Sequence, residues 1–300
     1  MTNRIAAAAM ICVALAFGDL ARGEAKWGSD VKAAMAQAQK EGKDLLFDFT
    51  GSDWCGWCIK LHEEVFSQEP FVTEAPKLFV LVTLDFPRKK LSAELTAQNR
   101  QWQQKLGVQG FPTIYLLDAQ GRPYAELGYQ EGGAKKYMET LNAKRQIRVR
   151  RDEALAAAAK ASGLDKAKLL DKALSEIDPA VAVNFYRPTV DEIVKLDEGN
   201  KAGLSGKYEL AVVMADVQKE MSAGKIKEAL AKIDAAMTKL KATGQLAQDL
   251  LFLKAQALYG AKQLDESKKT LQEALKIAPE GNKVQMIKTV LERAFPAKEE

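Results

Sequence analysis

Residues 54–58 read Trp54-Cys55-Gly56-Trp57-Cys58, and this stretch decides how the first half of the chain is interpreted. It follows the apolar run Leu45–Phe49, which predicts a buried strand, and it precedes apolar residues with helical spacing. Two cysteines separated by two residues at a helix start can close a small disulfide ring, and the free N–H groups there stabilise the thiolate of the first cysteine. Cys55 is therefore the candidate nucleophile and Cys58 its resolving partner.

Strand and helix signals alternate around the cysteine pair. We predict helices that begin near residues 55, 94 and 132 and further strands over residues 78–84, 114–117 and 124–127. This order implies a mixed central sheet covered by helices on both faces, an α/β architecture.

Three features in this order resemble the thioredoxin-fold family, in particular secreted thioredoxin-like proteins with a Trp-Cys-x-x-Cys motif. They are Asp48 on the strand before the cysteines, the motif at residues 54–58, and Phe111-Pro112-Thr113 before a later strand. The resemblance covers residues 27–147 and implies thiol-disulfide exchange with protein disulfides.

The resemblance also implies roles for residues near the cysteines. Pro112 would follow a cis peptide bond and place the Phe111 backbone beside the cysteines to pair with an extended client segment, the alternative being a trans proline that starts a strand. Asp48 would have a raised pKa through burial and relay the proton of Cys58, unless it faces outward from its strand. The predicted client-binding residues are Trp54, Gly56, Trp57, Phe111, Pro112 (cis) and Thr113.

Two departures from ordinary thioredoxins leave the redox potential open. Trp57 stands where thioredoxins have proline, and Phe86-Pro87-Arg88-Lys89-Lys90 adds residues before the next helix. Trp57 either offers aromatic surface for gripping a partner or packs at the helix start. Lys60 lies near the motif and either assists it electrostatically or is a lysine on an exposed helix face, which is the interpretation that we favour.

His62 is the only histidine in the chain, and it lies one helical turn after Cys58. A zinc site built on Cys55, Cys58 and His62 would need a carboxylate such as Glu63 or Asp53 to complete it. We interpret His62 as a surface or packing residue, and we predict no metal and no cofactor besides the redox-active Cys55–Cys58 disulfide.

The first 23 residues predict a cleaved signal peptide. Arg4 supplies the positive charge, residues 5–17 a short apolar stretch, and Ala21-Arg22-Gly23 small residues for a peptidase, with Ala25 as an alternative cleavage point. An uncleaved anchor would need about 20 apolar residues. We therefore expect a periplasmic or secreted protein. In such a protein, a lone cysteine pair usually has a catalytic or electron-carrying role.

From residue 148 the composition changes to alanine, leucine and lysine, which predicts an all-α helical domain. Residues 251–279 resemble one tetratricopeptide (TPR) repeat, the preceding hairpin repeats part of the pattern, and residues 164–179 are a looser copy. Residues 180–205 are expected to form a less regular segment that connects the repeats, and residues 284–295 to form a capping helix. We therefore predict a thioredoxin-like domain over residues 24–147 and a TPR-like domain over residues 148–300. Four arginines near the junction of the two domains are expected on solvated helix surface: Arg145, Arg148, Arg150 and Arg151.

These observations favour an exported thiol-disulfide oxidoreductase that reduces or isomerises disulfides in client proteins. A reducing role would need a membrane electron donor, and the helical repeats would recruit a protein or peptide partner. A net charge of +4, dispersed along the chain, does not indicate nucleic-acid binding. The alternative is a protein-binding scaffold whose thioredoxin-like half is a docking module.

Overall fold

The computed structural model describes residues 25–296, and its first half is built on one five-stranded sheet. The strand order is β1-β3-β2-β4-β5. The strands are β1 Trp27–Gly28, β2 Asp44–Thr50, β3 Phe79–Asp85, β4 Thr113–Leu117 and β5 Pro123–Leu127. Strand β2 is parallel to β3 and antiparallel to β4, so the sheet is mixed, as predicted.

Helices cover both faces of this sheet. They are α1 Val31–Glu41, α2 Gly56–Leu61, α3 Phe71–Leu78, α4 Ala93–Leu106 and the first part of α5 Gly133–Ala158. The sequence analysis did not predict β1, α1 or α3. The helix that starts after Cys55 changes after Leu61 into a π-helical turn over His62–Phe66, which inserts one extra residue per turn into the expected helix.

Side chains of the central strand β2 pack alternately on the two faces of the sheet. Leu46 packs in a cluster with Leu61, Val65 and Phe66 from α2 and the π-helical turn. Its neighbours Leu45, Phe47 and Phe49 pack on the opposite face, against α1 and α4. Because side chains alternate along a strand, Asp48 shares the face of Leu46, beneath the cysteine helix.

The second half is entirely helical within the described residues. Its helices are α6 Gly163–Leu174, α7 Pro179–Phe185, α8 Arg187–Leu196, α9 Leu204–Ser222, α10 Ile226–Lys239, α11 Gly244–Gly260, α12 Leu264–Ile277 and α13 Val284–Ala294. The pairs α9/α10 and α11/α12 are hairpins with three-residue loops, and α13 follows as the predicted terminal helix. Their identity as TPR repeats stays a prediction.

Two expectations for the second half need correction. Residues 180–205 are not an irregular connection, because they hold α7 and α8, whose Val181, Val190 and Ile193 are buried. The helix predicted to begin near residue 132 starts at Gly133 and continues to Ala158, so residue 147, the predicted end of the first domain, lies inside α5. The predicted domain boundary therefore falls within a continuous helix, and the division into two domains stays a prediction.

The arginines at this junction are mostly not solvated surface, contrary to the expectation. Arg145 and Arg148 of α5 both bind the buried carboxylate of Asp44, which also accepts a 2.8 Å hydrogen bond from the Tyr124 hydroxyl. Only Arg150, which pairs with Glu176, is exposed as predicted. A helix assigned to both halves thus carries ion pairs that hold it to the start of β2.

Arg151 is the most buried of the four, with a side chain that is 1% exposed. Its guanidinium binds Asp118 at 2.9 Å and Asp152 at 2.7 Å, and it donates a 2.6 Å hydrogen bond to the Tyr186 hydroxyl. Tyr186 in turn donates to the carbonyl of Pro123 on β5. This network joins the helical region to the sheet.

Candidate active site

Cys55 and Cys58 form a disulfide at the start of α2, with Cα atoms 5.2 Å apart. Cys55 is the N-cap of that helix, and its Sγ accepts a 3.2 Å hydrogen bond from the backbone N–H of Cys58. The two residues are only 7% and 5% exposed. The same Cys58 N–H also donates a 3.0 Å hydrogen bond to the Cys55 carbonyl. An N–H donor and the positive end of the helix dipole at Sγ stabilise a thiolate at this position once the disulfide is reduced.

The loop between β2 and the disulfide is held closed by Gly51 and Trp54. The backbone N–H of Cys55 donates a 2.9 Å hydrogen bond to the Gly51 carbonyl. A Cβ atom on residue 51 would come within 2.5 Å of the Trp54 ring, so only glycine fits beneath that indole. Trp54 is 42% exposed, and its Nε1 donates a 2.7 Å hydrogen bond to the carbonyl of Phe86.

The peptide bond between Phe111 and Pro112 is cis. Phe49 of β2 pairs with Thr113 of β4, so Pro112 lies at the same sheet edge from which residues 51–54 lead to Cys55. The Phe111 ring lies between two others, 5.9 Å from Trp54 and 5.1 Å from Phe86. The predicted client-binding residues 54 and 111 are therefore in contact.

Two other predicted client-binding residues, Gly56 and Thr113, differ in their exposure to solvent. Gly56 is exposed, and a side chain there would meet no other atom within 4 Å. Thr113 is buried, and its hydroxyl donates a 2.8 Å hydrogen bond to the Gly110 carbonyl. The Thr113 side chain therefore closes the turn before Pro112.

Trp57 is 57% exposed but also packs sideways, so both interpretations of it describe part of its environment. Its ring lies 5.1 Å from that of Tyr129, and the Lys60 ammonium lies 5.1 Å from each of the two ring centroids. The Tyr129 hydroxyl donates a 2.7 Å hydrogen bond to Glu64. Sequence reasoning missed Tyr129, which follows β5 and carries no signal that links it to the cysteines.

Asp48 lies 8% exposed on the face of the sheet covered by the cysteine helix, so it does not face outward. Its Oδ1 has no hydrogen-bond partner among the described residues. Burial, with a smaller contribution from the negative charge of Asp85, raises the pKa of Asp48 to about 8. A carboxyl group with this pKa is protonated at neutral pH and nearly matched to a cysteine thiol, whose ordinary pKa is about 8.5.

His62 is exposed at the start of the π-helical turn. Within residues 25–296, no three side chains of the His, Cys, Asp and Glu types converge to hold a metal ion.

Comparisons with known proteins place this site in a larger group. Residues 31–142 match a family described as "Thioredoxin-like domain". The chain is 30% identical over 130 residues to "Disulfide bond reductase DsbH" of Chlamydia pneumoniae, a match that covers 43% of this chain and 78% of that protein. It is also 30% identical over 95 residues to "Thiol:disulfide interchange protein DsbD" of Vibrio cholerae serotype O1, covering 32% of this chain but 14% of that protein.

A solved structure, "DsbH Oxidoreductase", is 29% identical, with a TM-score of 0.39, and the match covers 41% of this chain and 85% of that one. The family match ends at residue 142 and so concerns the α/β half. The predicted thioredoxin-like fold, followed by a largely helical region, is confirmed.

Proposed function

The chain belongs to the thioredoxin-like family and is a thiol-disulfide oxidoreductase, and from this premise we propose that it is exported and reduces or isomerises disulfides in client proteins. One observation carries the proposal: Cys55 and Cys58 form a disulfide at a helix start, at the sheet edge where cis-Pro112 also lies. Of these two roles, reduction is favoured by the name of the Chlamydia pneumoniae relative, a disulfide bond reductase.

We assign the steps of reduction to the two cysteines. The Cys55 thiolate attacks one sulfur of a client disulfide, so that a Cys55–client bond forms while the client S–S bond breaks and its second sulfur leaves as a thiolate. The Cys58 thiolate then attacks the Cys55 sulfur, which forms the intramolecular disulfide and releases the client as a dithiol. Two electrons pass to the client, and a two-electron donor must return them.

Asp48 is assigned the proton of Cys58 in the second step. Cys58 must lose its proton before it attacks. With a pKa of about 8, Asp48 is ionised in a minority of molecules at neutral pH, and that carboxylate form can accept the Cys58 proton at little free-energy cost because the two pKa values are close. In the reverse direction the protonated carboxyl would return the proton to the Cys58 sulfur as it leaves. The Asp48 position on the face covered by α2 supports this role.

Export requires a leader, and reduction in the compartment outside the cytoplasm requires a source of electrons there. The predicted signal peptide, residues 1–23, lies outside the described residues. None of the helices in residues 25–296 has the length and apolar character needed to cross a bilayer. We propose that a membrane protein supplies electrons in the compartment to which the chain is exported, and the partial likeness to a thiol:disulfide interchange protein supports this.

The helical region is assigned the recruitment of a protein or peptide partner. Its last three helices expose large apolar side chains, each close to half exposed: Tyr259, Leu264 and Met286. Single exposed apolar residues are common, so the proposal depends on their grouping near the end of the chain.

The experiment that tests the proposed function is a trap for clients. Cys58→Ala prevents resolution, so clients should remain disulfide-bonded to Cys55 when the variant is exported, and should be released by dithiothreitol. The double variant Cys55→Ser/Cys58→Ala, which lacks the nucleophile, is the matched control and should capture none. Equal recovery from both variants would contradict the proposal. Adding Leu264→Ser and Met286→Ser to the trap should reduce the yield if the helical region recruits clients.

A further inference from the structure

Residues 86–90 form a basic loop beside the disulfide that the proposed chemistry does not use. The loop follows β3 and reads Phe86-Pro87-Arg88-Lys89-Lys90. Strand β3 is parallel to β2, so the loop leaves the sheet at the same edge as residues 51–54, which lead to Cys55. It therefore lies next to the position at which a client disulfide would be attacked.

The basic loop is attached to the cysteine loop at several points. The carbonyl of Phe86 accepts the 2.7 Å hydrogen bond from Trp54 Nε1, and the backbone N–H of Arg88 donates a 2.9 Å hydrogen bond to Asp53 Oδ1. Just before the loop, both carboxylate oxygens of Asp85 accept hydrogen bonds from Ser52, at 3.0 and 2.6 Å. These contacts fix the loop's position relative to Cys55.

The same loop also contacts the segment expected to meet a client. The Phe86 ring stacks on Phe111, with centroids 5.1 Å apart and planes inclined by 26°. A client strand that pairs with the Phe111 backbone would have to pass along the loop. Its residues beyond the cysteine would then face Arg88, Lys89 and Lys90.

The three cations of the loop are available for a partner. Arg88, Lys89 and Lys90 are exposed, and none of them forms an ion pair within the part of the chain that the structure describes. The two nearby carboxylates, Asp53 and Asp85, accept the hydrogen bonds described above. The cations outnumber these carboxylates by one, so this side of the disulfide is positive.

On the opposite side of the disulfide, the lysine next to the cysteine motif is already engaged. Lys60 is paired with Glu64 at 3.8 Å, and its ammonium group lies over the rings of Trp57 and Tyr129. On the Phe111 side, by contrast, the three loop cations have no ion-pair partner among the described residues, so they can bind a charged client there.

We propose that the basic loop is a specificity surface that binds an acidic segment of the client protein, next to the client cysteine that Cys55 attacks. The inference rests on the proposed function, and it names the class of client: proteins whose reducible disulfide is flanked by aspartate or glutamate. Attraction between the loop and such a segment raises the rate of encounter and holds the segment against Phe111, and salt weakens it.

The test measures kcat/KM for three disulfide peptides of equal length that carry aspartates, serines or lysines beside the cysteine. At low salt, the wild-type protein should reduce the acidic peptide about tenfold faster than the neutral peptide. It should reduce the basic peptide more slowly than the neutral one. In about 1 M salt, where charges act over only about 3 Å, the three rates should converge.

The variant that decides the proposal is Arg88→Gln/Lys89→Gln/Lys90→Gln, in which the acidic-to-neutral rate ratio should fall to about one. The matched control is Lys160→Gln/Lys168→Gln/Lys195→Gln, which removes the same charge from exposed lysines of the helical region and should keep the ratio.

Two outcomes would overturn the proposal: a loop variant that keeps the wild-type ratio, or one that loses the same factor on all three peptides, which would indicate a structural role. Failure of the proposed function would look different, since the wild-type protein would then reduce no peptide.

Discussion

Replacing Arg151 by alanine is expected to lower the free energy of unfolding by about 3–5 kcal/mol, the range found when one partner of a buried ion pair is removed. The Arg151 side chain is 1% exposed, and Asp118, which it binds, is 3% exposed. Without the guanidinium, the Asp118 carboxylate keeps only Arg122 as a cationic partner, and the Tyr186 hydroxyl loses the donor at 2.6 Å. Urea unfolding followed by circular dichroism measures the loss.

Arg150 supplies the matched control at the neighbouring position. Its ion pair with Glu176 joins two side chains that are each about half exposed, so solvent screens the attraction. Arg150→Ala should leave the unfolding curve almost unchanged. If both alanine variants lost the same stability, or if neither did, the assignment of the Arg151 network as the joint between sheet and helices would be wrong.

Asp48→Asn is expected to make the oxidised protein more stable than the wild type, by an amount that grows with pH. In the wild-type protein, the folded-state pKa of about 8 lies above the unfolded value near 4, so unfolding releases a proton anywhere between these two pH values. Raising the pH through this window therefore favours the unfolded chain, and the contribution of the protonated carboxyl to stability is lost. The effect amounts to roughly 5 kcal/mol between pH 4 and pH 8, since the slope is about 1.4 kcal/mol per pH unit and flattens near each pKa.

The measurement is the difference in unfolding free energy between the Asp48→Asn variant and the wild type at several pH values. Asp165→Asn, which changes an exposed carboxylate on α6, controls for loss of charge, and its difference from wild type should not grow over the same range. A pH-independent difference for Asp48→Asn would mean that the carboxyl group is ionised in the folded protein.

The sequence predicted those parts of the fold whose signals are local. The strand around Leu46 and the cysteine helix were found because apolar runs and a Cys-x-x-Cys motif are contained within a few residues. The cis bond at Pro112 came from the family resemblance, as did the role proposed for Asp48.

What the sequence could not predict depends on contacts between distant residues. Arg151 is buried only because Asp118, 33 positions earlier, and Tyr186, 35 positions later, meet it in space. Tyr129 and Trp57 are also distant in sequence, since one follows β5 and the other lies on α2, and only the fold brings their rings into contact. A charge run in an alanine-rich helix gives no local sign that its members have partners, so solvated surface was the natural but wrong prediction for three of the four arginines.

The reduction potential of the Cys55–Cys58 pair tests most directly the central claim that this protein reduces client disulfides. The purified protein without its leader would be equilibrated with dithiothreitol or glutathione buffers and its thiol content measured at each potential. We expect a value in the region of thioredoxin, roughly −270 mV, at which the dithiol can pass its electrons to a client. A value near roughly −120 mV would contradict the claim, because a pair with that potential introduces disulfides rather than reducing them.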